Sequence, residues 1–276
     1  MNDYKYSVLM SIYLNDELSS VMRSAESIRG QKIKANDVVV VLDGPVKLDV
    51  ERYISKTCFD WNIIKIPENV GLGDALRIGL TKCKNKWVMR MDADDTCSPY
   101  RSERLLEALA ENNDDKIAAI GSYISEHNSK TRDTKLIKYP LKYRTNGKMN
   151  YFRDPIGHAS AIINRDAVLE VGGYKRCIYF EDTYLWLRLL RRGYYLLTVP
   201  EPLYEATVDS EFYSRRSGVR YAFIELHNFL LFYRENLITN RSFLQNIILR
   251  PIVRLLPKLL VKKIYLIFLR TNTEKV

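Results

Sequence analysis

Three carboxylates, Asp92, Asp94 and Asp95, fall within four residues directly after the largely apolar run Trp87-Val-Met-Arg-Met91. Like charges at that spacing repel one another, and a short hydrophobic run is the pattern of a buried strand. A solvated turn tolerates such a cluster. So does a bound cation, because carboxylate oxygens are the ligands that hard divalent metals select. A second acidic pair, Glu181-Asp182, opens the helical pattern of Leu185, Trp186 and Leu189. Acids there complement a helix dipole, which is a purely structural role. The same location is expected to keep a carboxylate ionised near neutral pH and ready to accept a proton.

The elements around these residues decide between the readings. Short β-rich runs at 6–12, 38–42, 63–66, 87–91 and 117–120 alternate with helical patterns near 16–29, 47–57, 73–83 and 100–112. Near-continuous apolar strands separated by helices indicate an α/β fold, a Rossmann-like, mostly parallel sheet flanked by helices on both faces. Ligands of such sheets sit beyond the carboxyl ends of the strands. There the sequence places Ser11-Ile-Tyr13, then Asp43-Gly-Pro45, then Asn69-Val-Gly71 leading into a helix, and finally the aspartate cluster. Asp-Gly-Pro is a good turn by itself, and Gly71 and Gly73 suit any loop entering a helix. Four polar or glycine-rich groups at four strand ends make the stronger argument for one shared crevice.

Composition bounds the remainder. The length of 276 residues suits one large α/β domain or two small ones. Cys58, Cys83, Cys97 and Cys177 have no metal-finger spacing and read as reduced thiols of a cytosolic chain. The first residues lack a basic-then-apolar leader pattern. Of the net charge of +10, +7 belongs to residues 241–276. Residues 218–236 suit a packed amphipathic helix. In 243–269, aliphatic residues interleave with Arg and Lys, and Pro251 and Pro257 are expected to break the run. No stretch reaches the ~18 uncharged apolar residues of a spanning helix. A basic amphipathic helical tail on an anionic membrane surface fits this composition, as does a solvated or dimer-forming helix. Nucleic-acid binding is disfavoured, because the basic residues alternate with aliphatic ones and no recognition motif is present.

The stretches SVLMSIYLND, VVVVLDGP, ENVGLGDALRIGL and WVMRMDADDTCSPYR, followed by GHASAIINRDAVLEVGGY and YFEDTYLWLRLLRRG, resemble family 2 glycosyltransferases of the GT-A fold. The resemblance spans roughly residues 5–205 and is greatest to bacterial enzymes that build O-antigen, capsule or exopolysaccharide. It implies an inverting transfer from a nucleotide-sugar, a UDP-sugar by the Asp43 contact to uracil, onto a hydroxyl of a lipid-linked glycan. Asp94 is then the direct ligand of Mn²⁺ or Mg²⁺, and Asp92 faces the ribose or the metal's water shell. Asp95 orients the pair or touches the donor sugar. Ser11, Tyr13, Asn69, Gly71 and Arg77 surround the nucleotide, although Arg77 stands where the family often has Asn and Asp74 where Lys is common. Asp182 is the catalytic base, Glu181 its positioning neighbour, and His158 a contact to acceptor or diphosphate. Arg90 is either an ion-pair partner of the cluster or an unrelated core residue. Gly172-Gly173-Tyr174 would shape the acceptor pocket, and Trp186 reads as core. Ser98-Pro99 is expected to cap and begin the next helix.

The implied organisation is a catalytic region at 1–217, divided at 100 into donor and acceptor halves, and a membrane-associating helical region at 218–276. The implied location is the cytoplasmic face of the cell membrane. Two other classes fit less well. A nucleotidyltransferase that makes sugar nucleotides needs an N-terminal Gly-rich, Arg-containing phosphate loop, which Ser7–Asn15 lacks. A non-catalytic sugar-binding relative does not need both Asp94 and Asp182.

Overall fold

The computed structural model describes residues 5–128, 133–145, 147–208, 216 and 218–255. Four strands form one half of the sheet: β1 (Tyr6–Ile12), β2 (Asp37–Asp43), β3 (Asn62–Ile66) and β4 (Trp87–Asp92). They pair in parallel in the order β3-β2-β1-β4, with α1 (Leu18–Arg29), α2 (Leu48–Thr57) and α3 (Leu72–Leu80) as crossovers. Every residue of β2 is buried. Leu9, Val39 and Val41 face one core while Val8, Met10, Val38 and Val40 face the other, the period of two that a strand imposes. The register sets Ser11 beside Asp92, Ile12 beside Leu42 and Asp43 beside Ile66. The ends of all four strands thereby finish within about one residue of level.

After β5 (Thr96–Cys97) and α4 (Arg101–Asn112), the chain adds β6 (Ile117–Asn128), β7 (Thr134–Ile137), β8 (Lys142–Tyr143), β9 (Ile162–Asn164), α5 (Arg165–Glu170), α6 (Glu181–Arg191) and β10 (Tyr195–Val208). The sheet continues β4-β9-β6-β10-β5. β6 and β10 are parallel, whereas β9 runs antiparallel between β4 and β6. Most paired residues lie in parallel ladders, as expected. The short antiparallel insertions carry too few residues to show a sequence pattern. The helical expectation for Ser98-Pro99 is corrected: β5 occupies the preceding residues, the Ser98 N–H donates to Leu203 O (3.0 Å), and α4 begins at Arg101 with no side-chain cap.

Two helices close the described chain, α7 (Val219–Arg234) and α8 (Asn240–Leu255). Phe229 and Phe232 of α7 are fully buried in the cluster that holds Trp186 and Leu189 of α6, so the core runs across residue 218. Expectations for the tail change here in two respects. First, α8 runs through Pro251, since packing against α7 stabilises a helix that loses a backbone hydrogen bond there. Second, Arg250 and Arg254 turn inward onto the Glu225 carboxylate at 2.7 and 2.9 Å, where Glu225 is 1% exposed. Ser242 and Asn246 donate to Tyr151 O. These groups anchor α8 to the catalytic core, while Leu244, Ile248, Leu249 and Ile252 stay exposed. The tail from 256 to 276 lies outside the described residues. Among those described, no helix is long and apolar enough to cross a membrane. All four cysteines are buried and free.

Replacing Glu225 with Leu removes the carboxylate from the buried Arg254 and the partly buried Arg250, and breaking a buried pair costs about 3–5 kcal/mol. Urea unfolding should show a loss in that range for Glu225→Leu; a loss under about 1 kcal/mol would mean that the cluster does not hold α8.

Candidate active site

The level strand ends open into a crevice of about 620 Å³. Ser11 and Tyr13 follow β1, and Asn69, Gly71 and Gly73 line the opposite lip, with Asp43 between them. Asp43 organises this side. Its Oδ1 accepts from Val70 N (2.8 Å), and its Oδ2 accepts from Gly71 N (3.1 Å) and Asn69 Nδ2 (3.0 Å). The loop can approach because residue 44 is glycine: at φ 81° any Cβ would stand 2.7 Å from Asn69 N. Part of Asp43's acceptor capacity thus serves the loop. Gly71 precedes the first residue of α3 as its N-cap, and a Cβ on Gly73 would lie 3.2 Å from Glu181 Cβ. That close approach carries Glu181 from α6 into the crevice wall.

The aspartates divide at the end of β4. Arg90, 1% exposed, is ion-paired with Asp92. The Asp92 N–H donates to the Tyr204 hydroxyl (3.2 Å) and its carbonyl accepts from Ser24 Oγ (3.0 Å). Asp94 is exposed at the crevice. Asp95 points the other way: buried and accepting from Thr207 N (2.9 Å), it ties the turn to β10 and does not line the crevice. Burial, followed by the Asp92 and Asp94 charges, raises its carboxyl well above the usual range. Asp16 joins the cluster from the β1–α1 loop, accepting from Tyr13 N (2.9 Å). Its carboxyl is pushed up to about 7 by burial and then by Asp94 and Asp92. These mutually repelling carboxylates fit a divalent cation, whose charge would relieve them. Among the described residues, no group of three His, Cys, Asp or Glu side chains converges as a ready-made metal site. The paired aspartates could supply only part of a coordination shell, the rest coming from ligand oxygens and water.

Glu181 and Asp182 face different spaces. Glu181 lines the crevice; Asp182 lines a second cavity of about 270 Å³, and Tyr179 borders both. The helix-start argument anticipates an ionised Asp182; burial acts in the opposite direction and raises its carboxyl, with the Thr183 N–H (2.7 Å) and Arg216 opposing. Burial and then the Asp182 charge push Glu181 up to about 7. Asp154 shares the second cavity, accepts from Thr183 Oγ1 (2.8 Å), and is likewise raised to about 7 by burial and Asp182.

Besides Asp95, two expected residues lie outside both linings. Arg77 donates to Asp74 (3.1 Å) one helical turn away, so its guanidinium serves α3 while Asp74 faces the crevice. His158 is half-buried behind the site, 2.7 Å from the Tyr174 hydroxyl and edge-on to Trp186, and burial lowers its pKa well below the ordinary value. Conversely, sequence reasoning passed over Asp16, Asp154, Arg176 and Tyr179. Arg176 and Tyr179 belong to the loop before α6, and Arg176 is the arginine in the crevice wall. Only Asp154, in Arg153-Asp-Pro155, carried a local signal, and it was that of a turn.

Comparison with known proteins supplies independent findings. The sequence profile described as "Glycosyl transferase family 2" matches residues 7–172. An uncharacterized glycosyltransferase of Haemophilus influenzae is 36% identical, covering 96% of this chain and 99% of the relative. An Escherichia coli UDP-Gal:alpha-D-GlcNAc-diphosphoundecaprenol beta-1,3-galactosyltransferase is 31% identical, covering 92% of each. Among solved structures, Staphylococcus aureus TarS 1–349 with UDP-GlcNAc superposes with a TM-score of 0.66 over 97% of this chain and 74% of that one. The chain spans 44% of the longer TarS structure. At 15% identity, that likeness speaks to the fold alone.

A carboxyl whose folded pKa is raised binds its proton more tightly in the folded state, so stability is lost as pH rises from the ordinary value to the raised one. Asp154, raised to about 7, should therefore lower the thermal midpoint of the metal-free protein between pH 5 and pH 7, with no further effect of its own above that window. Asp154→Asn should flatten this part of the profile. Parallel profiles for the two proteins, measured in chelator-containing buffer, would contradict the assigned shift.

Proposed function

The chain belongs to glycosyl transferase family 2, and on that premise we propose that it is a metal-dependent, inverting glycosyltransferase using a UDP-sugar. Its acceptor is a lipid-linked glycan of bacterial surface-polysaccharide synthesis. The observation that carries the reading is the strand register. It sets Ser11, Asp43 and Asp92 at one crevice, with Glu181 opposite and Asp182 in the adjoining cavity. The E. coli relative named for a UDP-galactose donor and a diphosphoundecaprenol acceptor supports the donor and acceptor classes.

In this mechanism the base and ribose lie against Tyr13, Asp43 and Asn69, with Ser11 and Gly71 beside them. Asp94 and Asp92 would hold Mn²⁺ or Mg²⁺, and the ion when bound supplies a Lewis acid that neutralises charge on the departing nucleoside diphosphate. Arg90 orients Asp92, and Asp95 braces the turn through β10. Arg176 is placed to meet the diphosphate from the facing loop. Asp182 accepts the proton of the acceptor hydroxyl as its oxygen attacks the anomeric carbon opposite the leaving diphosphate. One displacement inverts the centre, so an α-linked donor gives a β-linked product. The raised pKa of Asp182 makes it a stronger base once ionised, and Glu181 fixes the donor side of the same helix start.

The membrane surface enters through the tail. Leu244, Ile248 and Ile252 form an exposed stripe along α8 at helical spacing, and Lys258, Lys262, Lys263 and Arg270 follow in sequence. This segment would hold the protein on the anionic inner face of the cell membrane.

Calorimetry should show Mn²⁺-dependent UDP binding that disappears in Asp94→Ala; unchanged affinity would remove Asp94 from the metal site. Asp182→Asn should keep UDP binding and lose turnover by a factor on the order of 10² to 10⁴, with a smaller loss for Glu181→Gln. Two fully active variants would reduce the acidic pair to a helix cap. Deleting 256–276, which spares α8, should release the protein from anionic vesicles, at about 1 kcal/mol per basic residue lost from the surface. Equal sedimentation of both forms at low salt would refute the surface assignment.

A further inference from the structure

The crevice is more acidic than one metal ion requires. Six carboxylates line it: Asp16, Asp43, Asp74, Asp92, Asp94 and Glu181. Among the described residues of that lining, Arg176 is the one basic side chain. Most of the acids are engaged close by. Asp16 accepts from Tyr13 N, and Asp43 accepts from Val70 N and Gly71 N. Arg77 pairs with Asp74 at 3.1 Å, and Arg90 pairs with Asp92. The metal ion, when bound, answers Asp92 and Asp94.

Glu181 stands apart from this group, on the wall formed by the start of α6. It enters the crevice because residue 73 is glycine, where a Cβ would stand 3.2 Å from Glu181 Cβ. After burial, the charges of Asp182 and Asp92 act on its carboxyl, so Glu181 lies within electrostatic reach of the metal pair. The cation nearest in sequence to Arg176 is spent elsewhere: Lys175 places its ammonium over the Tyr184 ring (5.7 Å) and does not line the crevice.

The order along a bound donor follows from these positions. With the base at Asp43 and the diphosphate at Asp92 and Asp94, the sugar extends toward α6, because Asp182 must reach the hydroxyl that attacks its anomeric carbon. The sugar ring then lies beside Glu181. The metal and Arg176 meet the negative oxygens of the diphosphate. No described basic side chain of the lining is left to pair with an anion on the sugar.

We propose that the crevice selects donors whose sugar carries no negative charge, and that Glu181 is the residue that rejects uronic-acid donors. This deepens the glycosyl-transfer reading and rests on it. A hexose and its uronic acid differ by a hydroxymethyl group against a carboxylate of nearly the same size, so pocket volume sorts them poorly. A like charge beside the ring sorts them well, as a repulsive element aimed at the wrong ligand. A neutral sugar is not penalised, since carboxylate oxygens accept hydrogen bonds from its hydroxyls.

The test compares the affinities of UDP-glucose, UDP-glucuronic acid and the uncharged UDP-glucuronamide for the full-length protein in saturating Mn²⁺. UDP-galactose and UDP-galacturonic acid form a second pair. The buffer is held at pH 8, above the value of about 7 to which burial brings Glu181. Within each pair the uronic acid should bind about tenfold or more weakly, the effect of one like charge at close range, and the amide should bind like the hexose. Glu181→Gln, which keeps the shape and removes the charge, should close most of that gap; Glu181→Asp, which keeps the charge, should retain it. Equal affinities within both pairs, a gap undiminished in Glu181→Gln, or an amide as weak as the acid would overturn the proposal. Tighter binding of the uronic acid that disappears in Arg176→Gln would also overturn it, and would move Arg176 from the diphosphate to a sugar carboxylate. UDP titrated alone with Mn²⁺ reads the donor site separately. Failure of that titration counts against the glycosyltransferase reading, whereas UDP binding without charge discrimination counts against this proposal alone.

Discussion

A guanidinium buried at the end of β4 is the constraint around which the site is arranged. Arg90 is 1% exposed, and a charge in that position persists only when paired and hydrogen-bonded. It is paired with Asp92 and donates to Met91 O. A second buried arginine, Arg101, donates to the carbonyls of Arg90 (2.7 Å) and Ala159 (2.9 Å). One aspartate of the cluster is thereby held at the strand end. Asp94 projects into the crevice and Asp95 turns back to β10. The Arg90 charge also contributes, after burial, to keeping His158 in its neutral form, which suits the packed role of that histidine.

The start of α6 divides the crevice from the second cavity. Adjacent residues on the first turn of a helix point in directions about 100° apart. Glu181 and Asp182 consequently line different cavities although they are neighbours in sequence. Gly73 admits Glu181 to the crevice, while on the side of the second cavity Thr183 donates to Asp154 through a 2.8 Å hydrogen bond. Burial acts on all of these carboxyls in the same direction, raising their pKa values. The carboxyls of Glu181 and Asp154, on the two sides of one helix start, are thereby raised to about 7.

The C-terminal helices complete the wall of the second cavity and do not form a detached appendage. Glu225 draws Arg250 and Arg254 inward, α8 bonds to the backbone of Tyr151, and the exposed aliphatic stripe is what remains outside. Charge counting along a sequence treats every arginine as surface. Here two of the tail's basic residues are spent internally, which shifts its available positive charge toward residues beyond 255.

The pattern of apolar runs and helical periods determined the parallel half of the sheet, because strand and helix periods are local properties of the chain. Each polar group at a strand end was legible for the same reason: Ser11, Asp43, Asn69 and the aspartate cluster follow directly from where the apolar runs stop. The Glu181-Asp182 pair was visible as the start of a helix. Tertiary structure alone decided which groups meet. Asp16 joins Asp92 and Asp94 because β1 pairs with β4. Asp154 reaches Asp182 across 28 residues of chain, joined through Thr183. Arg77 satisfies Asp74, while Arg176 takes a place in the crevice. The direction in which the Asp182 carboxyl is shifted was also beyond sequence, since burial depends on everything packed around the residue.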